Sequence, residues 1–257
     1  MHFVELETAR SLDVPVMTVA AVLPSPWSEA AKAIFHVKKI DLPLVRFRRT
    51  DPEVVKWSGM DNVPVLLCKG EPRRTGWAEI LMFAERAGGA VSLVPDDADD
   101  RIRLFGVAHE IAGEGGLGYN ERLVMIHGSI VSNGAEGFPV AAAQYLAPKY
   151  GYDEGGFSAA KQRVIDILDL LHRMVEQSRR QGRTYLLGNR LGALDIYLAT
   201  FLTPIVGVSE KECPAMMPQV RPAFAYLKKE VGHAVTEALA AHRALIFERH
   251  LKWPIEL

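Results

Sequence analysis

The 257-residue chain is 49% hydrophobic and 24% charged, with a formal net charge of −1. That is ordinary globular composition, enough for one large or two ordinary domains with a sizeable core. The near-neutral balance gives no bulk-charge drive toward nucleic acid or a membrane surface. Cys68 and Cys213 form no CxxC pair and no metal-ligand spacing, so the expectation is no metal site and two free thiols in a reducing, cytoplasmic setting. No basic-then-apolar leader and no run of about 18 or more apolar residues is present, which predicts neither a signal peptide nor a membrane span.

Residues 1–14 mix charged and apolar groups without period and read as an arm or short extra element. Pro15–Val22 is apolar and β-branched on both faces, the pattern of a central, parallel strand. Pro26–Lys38 reads as a helix, with Ala30, Ala33, Ile34 and Val37 as its buried stripe. Leu42–Phe47 completes a βαβ unit, parallel to the first strand. Its basic cluster, Arg46, Arg48 and Arg49, reads as a solvated strand edge. Asp51-Pro52 starts a short helix, with Asp51 as cap. Asn62–Cys68 is a strand headed by Pro64, where the missing N–H is tolerated and a cis bond is possible. A turn at Lys69–Pro72 leads to a return strand over Arg73–Thr75, then a helix over Trp77–Arg86 ended by Gly88-Gly89. A linker at 90–95 follows.

Residues 96–257 read as helical throughout. The long segment to Ser132 is interrupted by glycines at 113–118, which break or kink it. Further helices are expected over 138–150, 158–181, 192–202, 218–230 and 231–251. Asp195 lies three residues after Gly192, the capping-box spacing, and reads as structural. The tail Trp253–Leu257 is expected to pack back on the body.

The chemistry starts at the strand-to-helix turn Leu23-Pro24-Ser25-Pro26-Trp27-Ser28-Glu29. Pro26 suits the first helical position, which makes Ser25 the N-cap. Free N–H groups and a partial positive charge gather there, a place for an anion.

Three stretches resemble the glutathione S-transferase superfamily. Ser25-Pro26-Trp27-Ser28-Glu29 is similar to its catalytic turn, Asn62-Val63-Pro64-Val65-Leu66 to its cis-proline strand, and Tyr185–Tyr197 to its second-domain signature. The resemblance implies an α/β thioredoxin-like domain over 15–89 followed by an all-α helical domain over 96–257. It also implies glutathione as cofactor, a small apolar electrophile as second substrate and a homodimer. By resemblance, Ser25 donates a hydrogen bond to the glutathione sulfur, with Ser28 as the alternative donor. Serine in place of cysteine favours conjugation over thiol–disulfide exchange. Val63, before Pro64, would pair its backbone with the cysteinyl unit as an added strand does. Asn62, Trp27 and Trp77 complete the expected cofactor site, and Phe105, His109 and Tyr119 the electrophile pocket.

The chain departs from the family pattern at one point. Aligning Ile80–Phe83 with the corresponding helix puts Gly76-Trp77 where an acid–serine pair holds the γ-glutamyl carboxylate, and both the hydroxyl and the carboxylate are absent. Thr75 or Glu79 substitutes only with a register shift. The alternative reading is therefore a non-catalytic protein of the same fold that binds or scaffolds and has lost glutathione.

Overall fold

The computed structural model describes residues 1–89 and 91–257. Its first half is a four-stranded sheet of order β1-β3-β2-β4, built from β1 (His2–Phe3), β2 (Val16–Ala20), β3 (Pro43–Phe47) and β4 (Val65–Leu67). β2 is central and buried at every residue; it pairs parallel with β3 and antiparallel with β4. Residues 1–14, expected only as an arm or extra element, supply β1, which extends the sheet parallel to β3, and α1 (Leu6–Ser11). The return strand expected over Arg73–Thr75 shrinks to one bridge, Leu66 to Arg74.

Strand alternation divides the core. Val16, Val45 and Phe47 face α1 and α3 (Pro52–Ser58), with Ala9 and Val54. Met17, Val19, Leu44 and Leu66 face the main core, which holds α2 (Pro26–Val37) and α4 (Trp77–Arg86) and continues into the second half. This is the period-two rule applied to a sheet covered on both sides. Asp51 caps α3, accepting from the N–H groups of Glu53 and Val54, and Gly59 ends the helix at φ +67°, a left-handed value suited to glycine.

The second half contains α5 (Ala98–Ala112), α6 (Leu117–Ser132), α7 (Val140–Lys149), α8 (Phe157–Arg180), α9 (Ala193–Phe201), the short α10 (Thr203–Val206), α11 (Arg221–Val231) and α12 (Glu237–His250). The glycines at 113–118 divide α5 from α6, as the sequence predicts. Asp195, 1% exposed, accepts from the N–H groups of Gly192 and Leu186 and lies 2.9 Å from His242 Nε2. It therefore fastens the start of α9 to α12 in the structural role expected of it. In the tail, Ile255 and Leu257 are buried.

The two halves are joined by specific bonds. Lys38, almost fully buried at the end of α2, places its ammonium 2.9 Å from Glu85 and 2.7 Å from the Val91 carbonyl. The N–H of Ala193 reaches the Leu93 carbonyl, and that of Met217 reaches the Val22 carbonyl. α2 packs against α9 beside these bonds.

Candidate active site

A cavity of about 730 Å³ lies where the carboxyl end of β2, the start of α2 and the loop before β4 meet α6 and α7. That size suits a small-molecule site between domains.

Ser25 occupies the N-cap position of α2, with extended backbone at ψ 124° and its carbonyl accepting from the Glu29 N–H. Its side chain makes no cap bond to the helix; it lines the cavity instead. The expected side-chain cap is thus absent. The serine hydroxyl takes neither the Trp27 nor the Ser28 N–H that a cap would accept from, and is left with no partner among the described residues. Ser28, the alternative donor, is fully buried and lies outside the cavity lining. Its Oγ accepts from the Ala20 N–H at 3.2 Å, tying the end of β2 to α2. The turn's two serines therefore divide their work: one secures the strand and one faces the cavity.

Trp27 lines the same cavity and joins the domains. Its indole N–H donates to the Ala112 carbonyl at 2.8 Å, and its ring meets Phe201 edge-on at 5.0 Å. Ala112 is the last residue of α5, where a carbonyl lacks a helical partner. The glycine break creates that free acceptor, and Trp27 satisfies it. The break also brings Gly118 against Trp27 and Phe201: a Cβ there would stand 2.8 and 2.5 Å from them.

Asn62, Val63 and Pro64 line the cavity opposite Ser25, and the Val63–Pro64 bond is cis. Val63 lies outside the β4 ladder, and its N–H and C=O are unpaired among the described residues. The buried Asn62 Oδ1 likewise has no partner. An unpaired backbone edge beside an orphaned acceptor is what an extended peptide needs in order to add to a sheet.

The start of α4 differs. Glu79 turns its carboxylate back onto the N–H groups of Gly76, at 3.0 Å, and Thr75, at 3.3 Å. The register is not shifted: α4 begins at Trp77, with Glu79 its third residue. Trp77 does not line the cavity. Its ring packs between Phe105 and Tyr197, at 6.1 and 5.5 Å, and its carbonyl accepts from the Tyr197 hydroxyl.

The expected electrophile pocket is rearranged. Tyr119 lines the cavity, with its hydroxyl donating to the Tyr150 carbonyl. Phe105 and His109 do not line it: the inward face of α5 is Leu104, Ala108, Ile111 and Ala112, so Phe105 packs on Trp77 and His109 is exposed.

Sequence reading missed several lining residues. Arg48 and Arg49 are not merely a solvated edge but line the cavity, and the Arg49 guanidinium lies 4.4 Å over the Tyr145 ring. Tyr145 donates to Asp61, which also lies 3.3 Å from Lys149, so α7 is fastened to the loop before Pro64 at the cavity mouth. The Tyr145 hydrogen bond, with Lys149, holds the Asp61 carboxyl below its ordinary range against a smaller opposing effect of burial. Arg122 also lines the cavity, 7% exposed. The signal for Arg122 was present: Gly118, Glu121, Arg122, Met125, Ile126 and Ser129 form one three-four stripe, and every member is buried. A charged pair inside such a stripe is not a solvated face.

No protein-family model matches this sequence, and no curated protein matches it. Solved structures do. A glutathione transferase from Pseudomonas putida, with one glutathione disulfide bound per subunit, is 14% identical over 96% of this chain and 95% of its own, with a TM-score of 0.62. Gtt2 from Saccharomyces cerevisiae is 13% identical over 91% and 96%, with a TM-score of 0.60. Glutathione transferase Omega 3C from Trametes versicolor is 14% identical over 97% and 94%, with a TM-score of 0.59. With the sheet order and the helical second half, these likenesses show that the chain has the glutathione transferase fold, a thioredoxin-like domain followed by an all-helical one.

Proposed function

We propose that the protein is a glutathione-dependent transferase that acts on a small, largely apolar electrophile, with Ser25 holding the sulfur. The observation that carries this reading is the Ser25 hydroxyl, which is withheld from its own helix and turned to the cavity. Glutathione supplies a thiol, and a thiol near a helix start or a hydrogen-bond donor ionises more readily than a free one. Ser25 supplies the donor, and the start of α2 the partial positive charge. Val63 holds the cysteinyl unit through its free N–H and C=O, and Asn62 Oδ1 accepts from a ligand N–H. Trp27 forms one wall. Phe138 and Tyr119 give the electrophile side an apolar and aromatic lining. Two-fold dimers are the commonest assembly of soluble proteins, and a homodimer is part of the reading. The cytoplasm is the expected setting, with Cys68 and Cys213 as free thiols.

A second reading rests on α4. Glu79 turns its carboxylate onto the N–H groups of Thr75 and Gly76 just before the helix, and the hydroxyl and carboxylate of the family pattern are missing. The γ-glutamyl end of glutathione then finds no ready partner, which favours a binding protein that no longer uses it.

Isothermal titration with reduced glutathione decides between the two. Saturable binding in the micromolar-to-millimolar range, followed by conjugation in an electrophile screen that fails in Ser25→Ala, supports the enzyme. No heat in the parent protein, with binding gained in Trp77→Ser, supports a site closed at α4.

A further inference from the structure

Arg122 projects from α6 into the cavity, 7% exposed, with its guanidinium 5.7 Å over the Trp27 ring and 5.4 Å over the Phe138 ring. Among the described residues it makes no hydrogen bond and no ion pair. A buried cation in this position is costly unless something compensates it. The two ring faces supply part of the compensation, but neither accepts the planar N–H fork.

The acidic groups nearby do not serve. Glu121 precedes it on the helix, yet the two form no ion pair within 4 Å. The Glu121 carboxyl is itself buried, its Oε1 has no partner, and burial pushes its pKa well above the usual range against the smaller opposing pull of the Arg122 charge. Across the cavity, Asp61 is engaged by Tyr145 and Lys149. Glu114 is exposed on the glycine break. The cavity therefore holds a largely buried guanidinium that makes no hydrogen bond among the described residues and has aromatic surfaces on two sides.

We infer that the second substrate carries a carboxylate next to a flat, apolar or aromatic group, and that Arg122 determines this specificity. The carboxylate takes the fork in a bidentate pair, the geometry guanidinium favours, and the flat group lies against Trp27 and Phe138. This inference rests on the proposed function, since it names the class of molecule that fills the electrophile side of the same site. It also refines that function: the electrophile is apolar in body and anionic at one end.

The test uses non-reactive ligands, so it does not depend on turnover or on glutathione. Binding of 3,5-dinitrobenzoate and of its methyl ester is measured by calorimetry on the full chain, in the parent protein and in Arg122→Met, Arg122→Lys and Arg49→Gln. The parent is expected to favour the acid by about tenfold or more, the scale of a charge-assisted pair. Arg122→Met should remove the preference while changing ester binding by less than about threefold. Arg122→Lys should keep part of it. If Arg122→Met does not fold, the parent's ratio and Arg122→Lys still decide.

Equal binding of acid and ester by the parent overturns the inference. So does a preference that survives Arg122→Met, or one lost in Arg49→Gln but kept in Arg122→Met, which would place the anion at the cavity mouth. A parent that prefers the acid but shows no heat with reduced glutathione retains the Arg122 site and removes the transferase reading. The converse result removes the Arg122 site alone.

Discussion

Two helices point their N-termini toward the same region, and they treat their free amides in opposite ways. α2 begins at Pro26 after a serine whose hydroxyl makes no bond to the helix and opens on the cavity. α4 begins at Trp77 after a glycine, and its own Glu79 fills the amides of Thr75 and Gly76. Every helix start leaves donors that something must satisfy. At α4 the chain turns its own Glu79 back onto the cap N–H of Gly76 and onto that of Thr75 before it, which is the stable and bland solution. At α2 the available side chain is held back, leaving the start open to a ligand. The contrast locates function at α2 and makes α4 the place where function is restricted.

Removing the open side should give the largest effect. Ser25→Ala is expected to lower glutathione conjugation by about 100-fold, the scale of one lost hydrogen bond to a developing or stabilised anion. Calorimetric affinity for glutathione should stay within about threefold, because Val63 and Asn62 are untouched. The thiolate absorbance of bound glutathione, followed against pH, should move to higher pH. An unchanged thiolate profile would show that the helix start alone sets the ionisation.

Changing the restricted side comes next. Trp77→Ser deletes a half-buried ring packed on Phe105 and Tyr197 and should cost about 2 kcal/mol in urea unfolding, less than a fully buried tryptophan. It also puts a hydroxyl at the start of α4, so glutathione affinity should rise in the same variant. Glu79→Ala acts on the amides themselves. It should cost less than about 1 kcal/mol of stability, the value of half a capping box, and tighten glutathione about threefold to tenfold. Unchanged binding in Glu79→Ala would mean that the γ-glutamyl end never reaches α4.

How much of this contrast was readable from the residues follows from what each depends on. The Ser25-Pro26 turn, the Val63-Pro64 strand head and the start of α4 at Trp77 are local patterns, governed by proline geometry and apolar spacing, and all fall where the sequence places them. The glycine break was readable as a break. Its consequence, a free Ala112 carbonyl that meets Trp27 from the other domain, depends on a contact 85 residues away in sequence. Phe105 and His109 were assigned to the pocket because their helix faces it, but local spacing does not say which way a helix is turned about its axis. Ser25 ranks ahead of Ser28 as donor on the sequence, but what removes Ser28 from the cavity, its hydroxyl accepting from the Ala20 N–H at the end of β2, is a contact between elements. Arg122 was legible as a buried position but not as a cavity residue, since a stripe gives burial without saying what lies beyond it.

The smallest expected effect lies at the cavity mouth, which controls access to the α2 start. Tyr145 and Lys149 on α7 hold Asp61, and the Tyr145 hydrogen bond is the largest cause keeping that carboxyl below its ordinary range. A depressed folded pKa means that the contact contributes fully above the unfolded value, about 3.9 for an aspartate, and is lost as pH falls through the folded value. The Asp61 side chain is 57% exposed, so solvent screening keeps the gain small. Hydrogen exchange of the α7 amides, compared across the acid range, should show protection in the parent persisting below the ordinary aspartate range. In Tyr145→Phe, which removes the donor but keeps the ring under Arg49, the loss should begin at higher pH. Coincident profiles would show that α7 is held by packing alone, and the mouth of the cavity would then be insensitive to the charge on Asp61.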